Sequence, residues 1–590
     1  MLVFLRNVIT NGGNNLENPA VAFAFDLTVV ILRVAVPLFA VVILIRLYAS
    51  LRQNRRDERP LIMLYDEDVR KAVPVLYWEN SIGRSRACDI YLTDSTVSRE
   101  HAVLMRRDDG WSITDSDSKS GVFVNGEKIS GRTNIYLDDR IRIGTTNLIV
   151  KRAEEFEGAT RRSWFFKPKG KKIIGSKGLL VLLTLFFLIV SAEACLDNKA
   201  LRSGIIDFMP FTYGFITIGL MWVTYIFSTL ILKRVNFEIE SLAFFLTGVG
   251  VMISVHQTEK QAIVQLISAF IGIILFEFLI KILDDPDRVN HLTKWVYGAS
   301  LALLAINLVF GRTQYGAANW ITLPGGISVQ PSEVVKVGFI FVGAAGLDQL
   351  QTRKNLFGFL VFSALCVGAL VLMGDFGTAL IFFATYLIIS FMRSGDFATF
   401  VVAIGAAVFA SAIVLRFKPY ISDRFSAWGH VFEEPYVWDT GFQQARTLIY
   451  CASGGVFGVG LGNGFCKNLF ASESDIVIGI LCEEMGIITA VVMAVAIGAL
   501  VFYARAITTR SRSTFYSISA CCAAGLLVIQ LSLNLFGATD ILPLTGVTFP
   551  FISAGGSSMI SCWGLMAFIK AADERTYAVR RESMFRSKEE

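Results

Sequence analysis

LTVVILRVAVPLFAVVILIRLYASLRQNRRDER, residues 27–59, changes character partway along: an apolar run to about Tyr48 gives way to Arg52, Arg55, Arg56 and Arg59. A membrane-spanning helix needs roughly 20 apolar residues, and lysine and arginine gather on the cytoplasmic side of spans. Residues 27–48 therefore read as an anchor helix whose C-terminal end, with the segment after it, lies inside the cell. No small-residue cleavage site succeeds the apolar run, so residues 27–48, within an N-terminal region 1–51, are expected to be a retained anchor and not a signal peptide. From Leu61 to Val150 the pattern turns into short alternating runs broken by Gly, Asp, Ser and Asn, as in SITDSDSKSGVFVNGEKI (112–129) and LDDRIRIGTTNLIVKR (137–152). That pattern predicts an all-β sandwich over 52–153. A basic linker, 154–177, carries RRSWFFKPKGKK (161–172).

The rest of the chain is membrane-grade sequence. Across 590 residues, 54% are hydrophobic and 18% charged, with a mean hydropathy of +0.55, too apolar for a soluble multidomain protein. The net charge of +6 is small for this length, and no nucleic-acid partner is expected. The nine cysteines show no metal-ligand spacing, and Cys366, Cys482, Cys521, Cys522 and Cys562 lie in apolar runs as small hydrophobes. Beyond the anchor, spans are expected near 178–195, 209–232, 239–255, 262–282, 294–310, 334–349, 357–373, 376–392, 399–416, 476–503, 515–537 and 551–570. The fold class is thus a polytopic α-helical membrane protein, about 12 spans plus one N-terminal anchor helix, with a cytosolic all-β sandwich. Loops bearing LKR, KILDDPDRVNHLTK, LDQLQTRKN, MRSGD and YARAITTRSRS fall inside, as does the tail 572–590. The loops 311–333, 417–475 and 538–550 are then outside. Only Gly374 and Asp375 separate two spans, which predicts a hairpin or a broken helix.

Within the inside block, IGRSRACDIYL (82–92), TVSREHAVL (96–104) and SKSGVFVNGEKI (118–129) resemble the forkhead-associated (FHA) domain, a phosphothreonine-binding module. The resemblance implies phosphopeptide contacts from Arg84, Ser98 and Arg99, joined by Ser118 and Lys119, with His101 supporting the loops. An arginine fork and a hydroxyl offer charge-assisted hydrogen bonds to phosphate. Where the family usually has Asn-Gly, this chain has Ser120-Gly121.

Four clusters mark the membrane half: YGAANWITLPGGISVQPSEVVKVGF (315–339), MGDFGTAL (373–380), the stretch from Asp423 to Gly486, and ILPLTGVTFPFISAGGSS (541–558). Glu333 and Lys336, three apart on one helix face, are expected to pair. Asp375 is placed either to cap the following helix or to touch substrate. Glu483 and Glu484 are expected to meet Lys or Arg in the bundle. The glycines at 454, 455, 458, 460 and 462 are read as tight turns or close approaches, not a nucleotide loop.

In this order and spacing the clusters resemble the SEDS family of FtsW, RodA and SpoVE over roughly 311–571. The resemblance implies a peptidoglycan glycosyltransferase that polymerises lipid II on the outer face of the bacterial plasma membrane beside a monofunctional class B penicillin-binding protein. The domain that carries it is expected to be a SEDS-like multispan unit over 178–571. The family's proposed catalytic carboxylate precedes a Gly-Tyr-Gln triplet, here Gly441-Phe442-Gln443, so Asp439, Glu434 and Glu433 are the candidates, in that order. Gly374 stands for a usual proline and Asn319 for a commonly basic residue. Arg424, Arg446 and Lys467 are candidates for neutralising pyrophosphate, or interfacial anchors. Gln443, Glu333, Lys336 and Asp375 join them as substrate-binding candidates. A divalent cation, Mg or Mn, is left open. A Ser/Thr kinase would write the phosphothreonine mark on the FHA ligand. A lipid-linked precursor flippase and a non-catalytic scaffold for phosphorylated division or sporulation proteins are the alternatives.

Overall fold

The computed structural model describes residues 19–53, 62–75, 79–85, 88–107, 110–152, 176–196, 207–232, 234, 236–314, 317–322, 328–345, 353–394, 401–405, 426–508 and 514–573. The chain starts with helix α1 (Pro19–Gln53) and then forms two packed sheets. One sheet has the order β2-β1-β11-β10-β7-β8, from β1 (Ile62–Asp66), β2 (Lys71–Val75), β7 (Val122–Val124), β8 (Glu127–Lys128), β10 (Arg140–Ile143) and β11 (Thr146–Arg152). The other runs β4-β3-β5-β6-β9, from β3 (Glu79–Gly83), β4 (Ile90–Tyr91), β5 (Ala102–Arg107), β6 (Gly110–Asp115) and β9 (Thr133–Ile135). Strand β10 shows why: in Arg140-Ile141-Arg142-Ile143 the arginines are exposed and the isoleucines buried, the period-two signature of a sheet with one solvated face. Ile141, Ile82, Leu104, Ile113 and Leu148 form the layer between the sheets.

The membrane half is a helical bundle. Its helices are α2 (Ser176–Cys195), α3 (Met209–Ile226, extended by the π-helical turn Phe227–Ile231), α4 (Glu238–Val255), α5 (Glu259–Leu283) and α6 (Pro286–Phe310). Then come α7 (Pro331–Ala344), α8 (Arg353–Leu372), α9 (Phe376–Ser394), α10 (Phe442–Gly454), α11 (Val477–Thr508), α12 (Thr514–Ala538) and α13 (Gly556–Ala572). Among the described residues eight are long and apolar enough to cross a membrane, with α8 and α9 shorter. Twelve spans plus an anchor are therefore not reached by length and composition, although every expected span except 399–416 coincides with a helix; that one lies mostly outside the described residues. Large apolar side chains such as Leu230, Val309, Leu372 and Phe502 remain exposed on the bundle, as lipid-facing residues do.

Helix α4 is buried on nearly every side and occupies the middle of the bundle. Helices α5 and α13 pack closely because Gly272 lies against Trp563, which also meets Phe244 and Phe276 edge-on at 5.0 and 5.7 Å. The anchor α1 is no outlying tether. It packs on α2 and α11, and Ser50 Oγ donates to Glu238 Oε1 at 3.2 Å. Helices α8 and α9 form the expected hairpin around Met373-Gly374-Asp375.

Two expectations are corrected. The segment 417–475 is not all loop, since it contains α10. The last span begins at Gly556, not 551, because the chain turns at Phe551 (φ 65°) and stays irregular to Gly555. Residues 311–333 also carry a small antiparallel sheet of β12 (Arg312–Gln314), β13 (Ala317–Thr322) and β14 (Ser328–Val329).

Helix α11 is broken at Gly486 (φ 84°, ψ 159°). The break releases the Glu483 and Glu484 carbonyls, which accept from the N–H groups of Val459 (2.8 Å) and Gly460 (3.0 Å), while the Ile487 N–H donates to Gly455 O at 3.1 Å. A Cβ on Gly486 would sit 2.6 Å from Phe457 C and 2.7 Å from Gly458 N. Gly486→Ala is therefore expected to cost about 1–3 kcal/mol or more, read as a lower thermal midpoint in detergent. Gly498→Ala in the same helix, with no neighbouring atom within 4 Å, should leave the midpoint unchanged or slightly raised.

Candidate functional site

Two groups of candidate residues occur, one on the β-sandwich and one at the bundle end that carries the loops near 311–333, 426–475 and 538–555. On the sandwich, Arg84 follows β3, Ser98 and Arg99 precede β5, and Ser118 and Lys119 follow β6. These three loops are tied together. The Arg84 N–H donates to Ser98 O at 2.9 Å, the Ser85 N–H to Arg99 O at 2.9 Å, and the Lys119 N–H to Ser98 Oγ at 3.1 Å. His101 is fully buried; its Nδ1 accepts from the Ser98 N–H at 3.0 Å, which leaves Nε2–H to donate to Gly121 O at 3.2 Å. Ser120 Oγ donates to Thr96 O at 3.0 Å, so the residue in place of the usual Asn closes the same loop junction. Arg84, Arg99 and Lys119 stay exposed around it. Three cationic side chains thus ring a prearranged loop junction. Behind it, hydroxyl and amide hydrogen bonds from Thr145 and Thr96 hold the Asp94 carboxyl well below the usual range.

At the bundle's loop end, α7 begins with Pro331 at its first position and Glu333 in its first turn, both favourable there. One helical turn brings Lys336 beside Glu333. Lys336 Nζ lies 2.8 Å from Glu333 Oε1 and 3.0 Å from Gln530 Oε1, and Ser561 Oγ donates to Glu333 Oε2 at 2.7 Å. The amide of Gln530 then reaches Thr548 Oγ1 at 2.9 Å and Thr548 O at 3.1 Å, and Thr548 Oγ1 lies 2.8 Å from Ser558 Oγ. The pair's side chains are 1% and 5% exposed, so the pair is desolvated while its network reaches the half-buried Thr548.

Asp375 holds two positions at once. Its Oδ1 accepts from the Thr378 N–H at 3.1 Å, an N-cap of α9, and its Oδ2 accepts from Asn319 Nδ2 at 2.8 Å and Gln330 Nε2 at 3.1 Å. The Gln330 N–H donates to Ser557 Oγ at 3.3 Å. The first, second and fourth sequence clusters therefore meet in one network. The third joins through Ser553, whose Oγ donates to Ser474 O at 2.6 Å, and through the Ala554 N–H, which donates to Glu473 O at 2.8 Å.

The carboxylates before the Gly-Phe-Gln triplet sit apart from that network, and among the described residues no hydrogen bond or ion pair joins them to it. Glu433 is engaged: His430 Nδ1–H donates to its Oε1 at 3.0 Å. Glu434 and Asp439 are exposed, and neither carboxylate has a hydrogen-bond or ion-pair partner among the described residues. Arg446 lies over the rings of Phe442 (5.4 Å) and Trp438 (5.8 Å), next to Asp439 in sequence. Gln443 Nε2 donates to Phe470 O at 2.8 Å, and Lys467 Nζ to Gly462 O at 2.5 Å. Arg424 lies outside the described residues.

Glu483 and Glu484 depart from expectation. Among the described residues their hydrogen bonds come from backbone amides, with Lys467 and His256 acting on Glu484 through charge alone: Glu484 accepts from Gly462 and Gly464 (3.0 and 3.3 Å), Glu483 from Phe465 and Cys466 (3.0 and 2.8 Å). Gly460 and Gly462 have φ of 99° and 81°, and those turns are what aim the amides at the carboxylates. Among the described residues no group of three His, Cys, Asp or Glu forms a ligand set for a metal, so the divalent cation is assigned no protein ligands and no step is routed through it.

The Glu433 carboxylate, by hydrogen bond and charge, raises the His430 pKa, and Asp540 adds to the shift. Titration of His430 should therefore centre above the ordinary value of about 6.5 and return towards it in Glu433→Gln, as followed by NMR of labelled histidine. The sign is fixed: the imidazolium–carboxylate attraction is complete below the ordinary value and lost as pH rises through the raised one.

A buried acid–base pair, a helix-capping aspartate and an exposed carboxylate loop at one end of a helical bundle, with a β-sandwich inserted in sequence between its first two helices, define a multispan membrane protein with an appended recognition domain. Residues 235–578 match the family model described as Cell cycle protein, FtsW/RodA/SpoVE, and residues 80–144 match the FHA domain. The chain belongs to the FtsW/RodA/SpoVE family and is a bacterial membrane protein. It is 32% identical over 302 residues to a probable peptidoglycan glycosyltransferase FtsW of Coxiella burnetii, covering 48% of this chain and 77% of that protein. It is 29% identical over 337 residues to the peptidoglycan glycosyltransferase RodA of Mycobacterium tuberculosis, covering 53% and 70%. A solved peptidoglycan synthase complex contains a chain similar to it at 24% identity and a TM-score of 0.47, covering 58% of this chain and 98% of that one.

Proposed function

We infer that the protein is a peptidoglycan glycosyltransferase that polymerises lipid II into glycan strands at the outer face of the plasma membrane, and that its cytosolic FHA domain recruits or regulates it by binding a phosphothreonine protein. Family membership over 235–578 carries the activity, and the relatives' names supply the reaction. Basic loops on one side of the spans support an arrangement with sandwich and tail inside and the carboxylate loop outside.

In this reading Asp439, or failing it Glu434, takes the proton of the acceptor sugar hydroxyl as it attacks the anomeric carbon. Glu433 is less suited because His430 already occupies it. Arg446, positioned by Trp438 and Phe442, faces the departing pyrophosphate. Glu333, Lys336 and Asp375 bind and orient the lipid-linked donor from the bundle side, and Gln443 and Lys467 set the loop. A monofunctional class B penicillin-binding protein is the expected partner, and a Ser/Thr kinase writes the FHA ligand.

The test is glycan-chain formation from purified lipid II by the full-length protein, alone and with its class B partner. Polymer resolved by electrophoresis is the expected result. No polymer with the partner present would move the protein to the flippase or scaffold class.

A further inference from the structure

Three successive carbonyls just ahead of α11 are each held by a separate donor. Glu473 O accepts from the Ala554 N–H at 2.8 Å, Ser474 O from Ser553 Oγ at 2.6 Å, and Asp475 O from Asn534 Nδ2 at 2.9 Å. Carbonyls outside a helical ladder need tertiary donors of this kind when they are kept from water. The donors are fixed in turn. The Asn534 amide also reaches Val547 O at 2.7 Å, Ser553 Oγ accepts from the Phe549 N–H at 2.8 Å, and Gln265 Nε2 of α5 donates to Ser553 O at 2.9 Å. Gln261, one turn earlier on α5, donates to Glu473 Oε1 at 2.9 Å. Asn534, Ser553 and Gln265 are all buried.

One tight turn separates the held carbonyls from α10. The Ser474 and Asp475 N–H groups both donate to Ala471 O, at 3.2 and 3.0 Å, and Ser472 Oγ donates to Lys467 O at 2.9 Å. On the far side of that turn Phe470 O receives Gln443 Nε2 of α10 at 2.8 Å. The next residue, Gln444, donates to Gly537 O at the end of α12, also at 2.8 Å. The first turn of α10 is therefore docked by two adjacent side-chain amides, one on the 470–475 turn and one on α12.

Positions 530, 534 and 537 have the spacing of one helix face. The first serves the Glu333–Lys336 pair, the second the 473–475 carbonyls and the third α10. One face of α12 thus touches the buried pair and both supports of the helix that carries Arg446. Asp439 lies three residues before that helix, and its carboxylate has no hydrogen-bond or ion-pair partner among the described residues. Its place is inherited from the turn into α10, where the Phe442 N–H donates to Asp439 O at 3.1 Å.

We propose that this face of α12 sets the register of the site: Asn534, Ser553 and Gln444 are positioning residues that hold the 439–446 segment in fixed relation to the Glu333–Lys336 network. The inference rests on the function proposed above, which divides acceptor activation and donor binding between those two places. All three act through backbone carbonyls and not on substrate. The stake is geometric, since misplacing a reacting group by about 1 Å can cost about 10²-fold in rate.

Hydrogen exchange and lipid II polymerisation, both on the full-length protein in nanodiscs, test this. Ser553→Ala and Asn534→Leu should each speed exchange of the amides at 443–450 by about tenfold, as a local opening becomes easier, while α4 stays protected. Each should lower kcat by about 10–100-fold and leave KM for lipid II within about twofold. Ser553→Thr, which keeps the hydroxyl, should retain the wild-type exchange and rate. Because the effect runs through the 470–475 turn, adding Gln443→Leu to Ser553→Ala should cost less than the product of the two single losses. If Asn534→Leu does not fold, Ser553→Ala carries the comparison. A lower thermal midpoint with normal kcat per folded molecule is what a purely structural role predicts. That result, or unchanged exchange at 443–450 in the variants, overturns the proposal. A wild type that makes no polymer fails the enzyme reading instead; faster exchange at 443–450 in the variants would then still uphold the placement of α10.

Discussion

Asp439→Asn is expected to lower the rate of glycan polymerisation by about 10²–10⁴-fold, the usual contribution of a positioned general base, with little change in the apparent affinity for lipid II. An amide keeps the shape of the carboxylate and loses its capacity to take a proton. The loss should therefore fall on kcat, because the interaction is made as the proton moves and not in the ground state. Glu433→Gln should stay within a few-fold of wild type, since the Glu433 carboxylate is already held by His430 at 3.0 Å. Glu434 has no such partner among the described residues and is the direct competitor. An active Asp439→Asn protein beside an inactive Glu434→Gln protein would transfer the role to Glu434. Full activity in both would leave Glu433 as the remaining candidate in this loop.

How much of the fold is legible in the sequence depends on whether the signal is local. Alternation in RIRI and apolar runs of roughly 20 residues are local signals, and they locate the sandwich and nearly every described span. Helix α10 escapes the sequence for a physical reason: FQQARTLIYCASG has no side-chain cap at Gly441 and no acidic residue in its first turn. It is held where it lies against α11 and α12, a tertiary cause that outweighs its missing cap signals. The break at Gly486 is hidden too, since a glycine in an apolar run looks like any packing residue until its φ is known.

The candidate site divides in the same way. The Glu333–Lys336 pair follows from spacing of three on a helix. Gln530, Thr548, Ser558 and Ser561, which complete its hydrogen bonds, come from 190 or more residues away and are not found by local reading. One signal is present: Gln530 and Asn534 are polar residues one turn apart on an otherwise apolar helix, and both are buried. For Glu483 and Glu484 the position is readable and the partner is not, because no residue letter announces a backbone N–H.

Lys336→Met should be strongly damaging to the bundle, costing about 3–5 kcal/mol because it leaves a buried carboxylate without its counter-charge. Glu333 would retain Ser561 alone, and Gln530 would lose the cation that fixes its carbonyl oxygen, releasing its hold on Thr548. The expected readout is a large fall in the thermal midpoint in detergent, or loss of the folded protein from membranes. Glu333→Gln combined with Lys336→Met removes both charges and should restore most of that stability, since replacing a whole buried pair by groups of similar volume is often close to neutral. Activity then separates two roles that stability alone confounds. If the pair serves only the fold, the double variant polymerises lipid II nearly as well as wild type. If, as the network's connection to Gln330, Asp375 and the 541–558 segment implies, it also orients the lipid-linked donor, the double variant folds and remains inactive. Recovery of both stability and activity would withdraw Glu333 and Lys336 from the site.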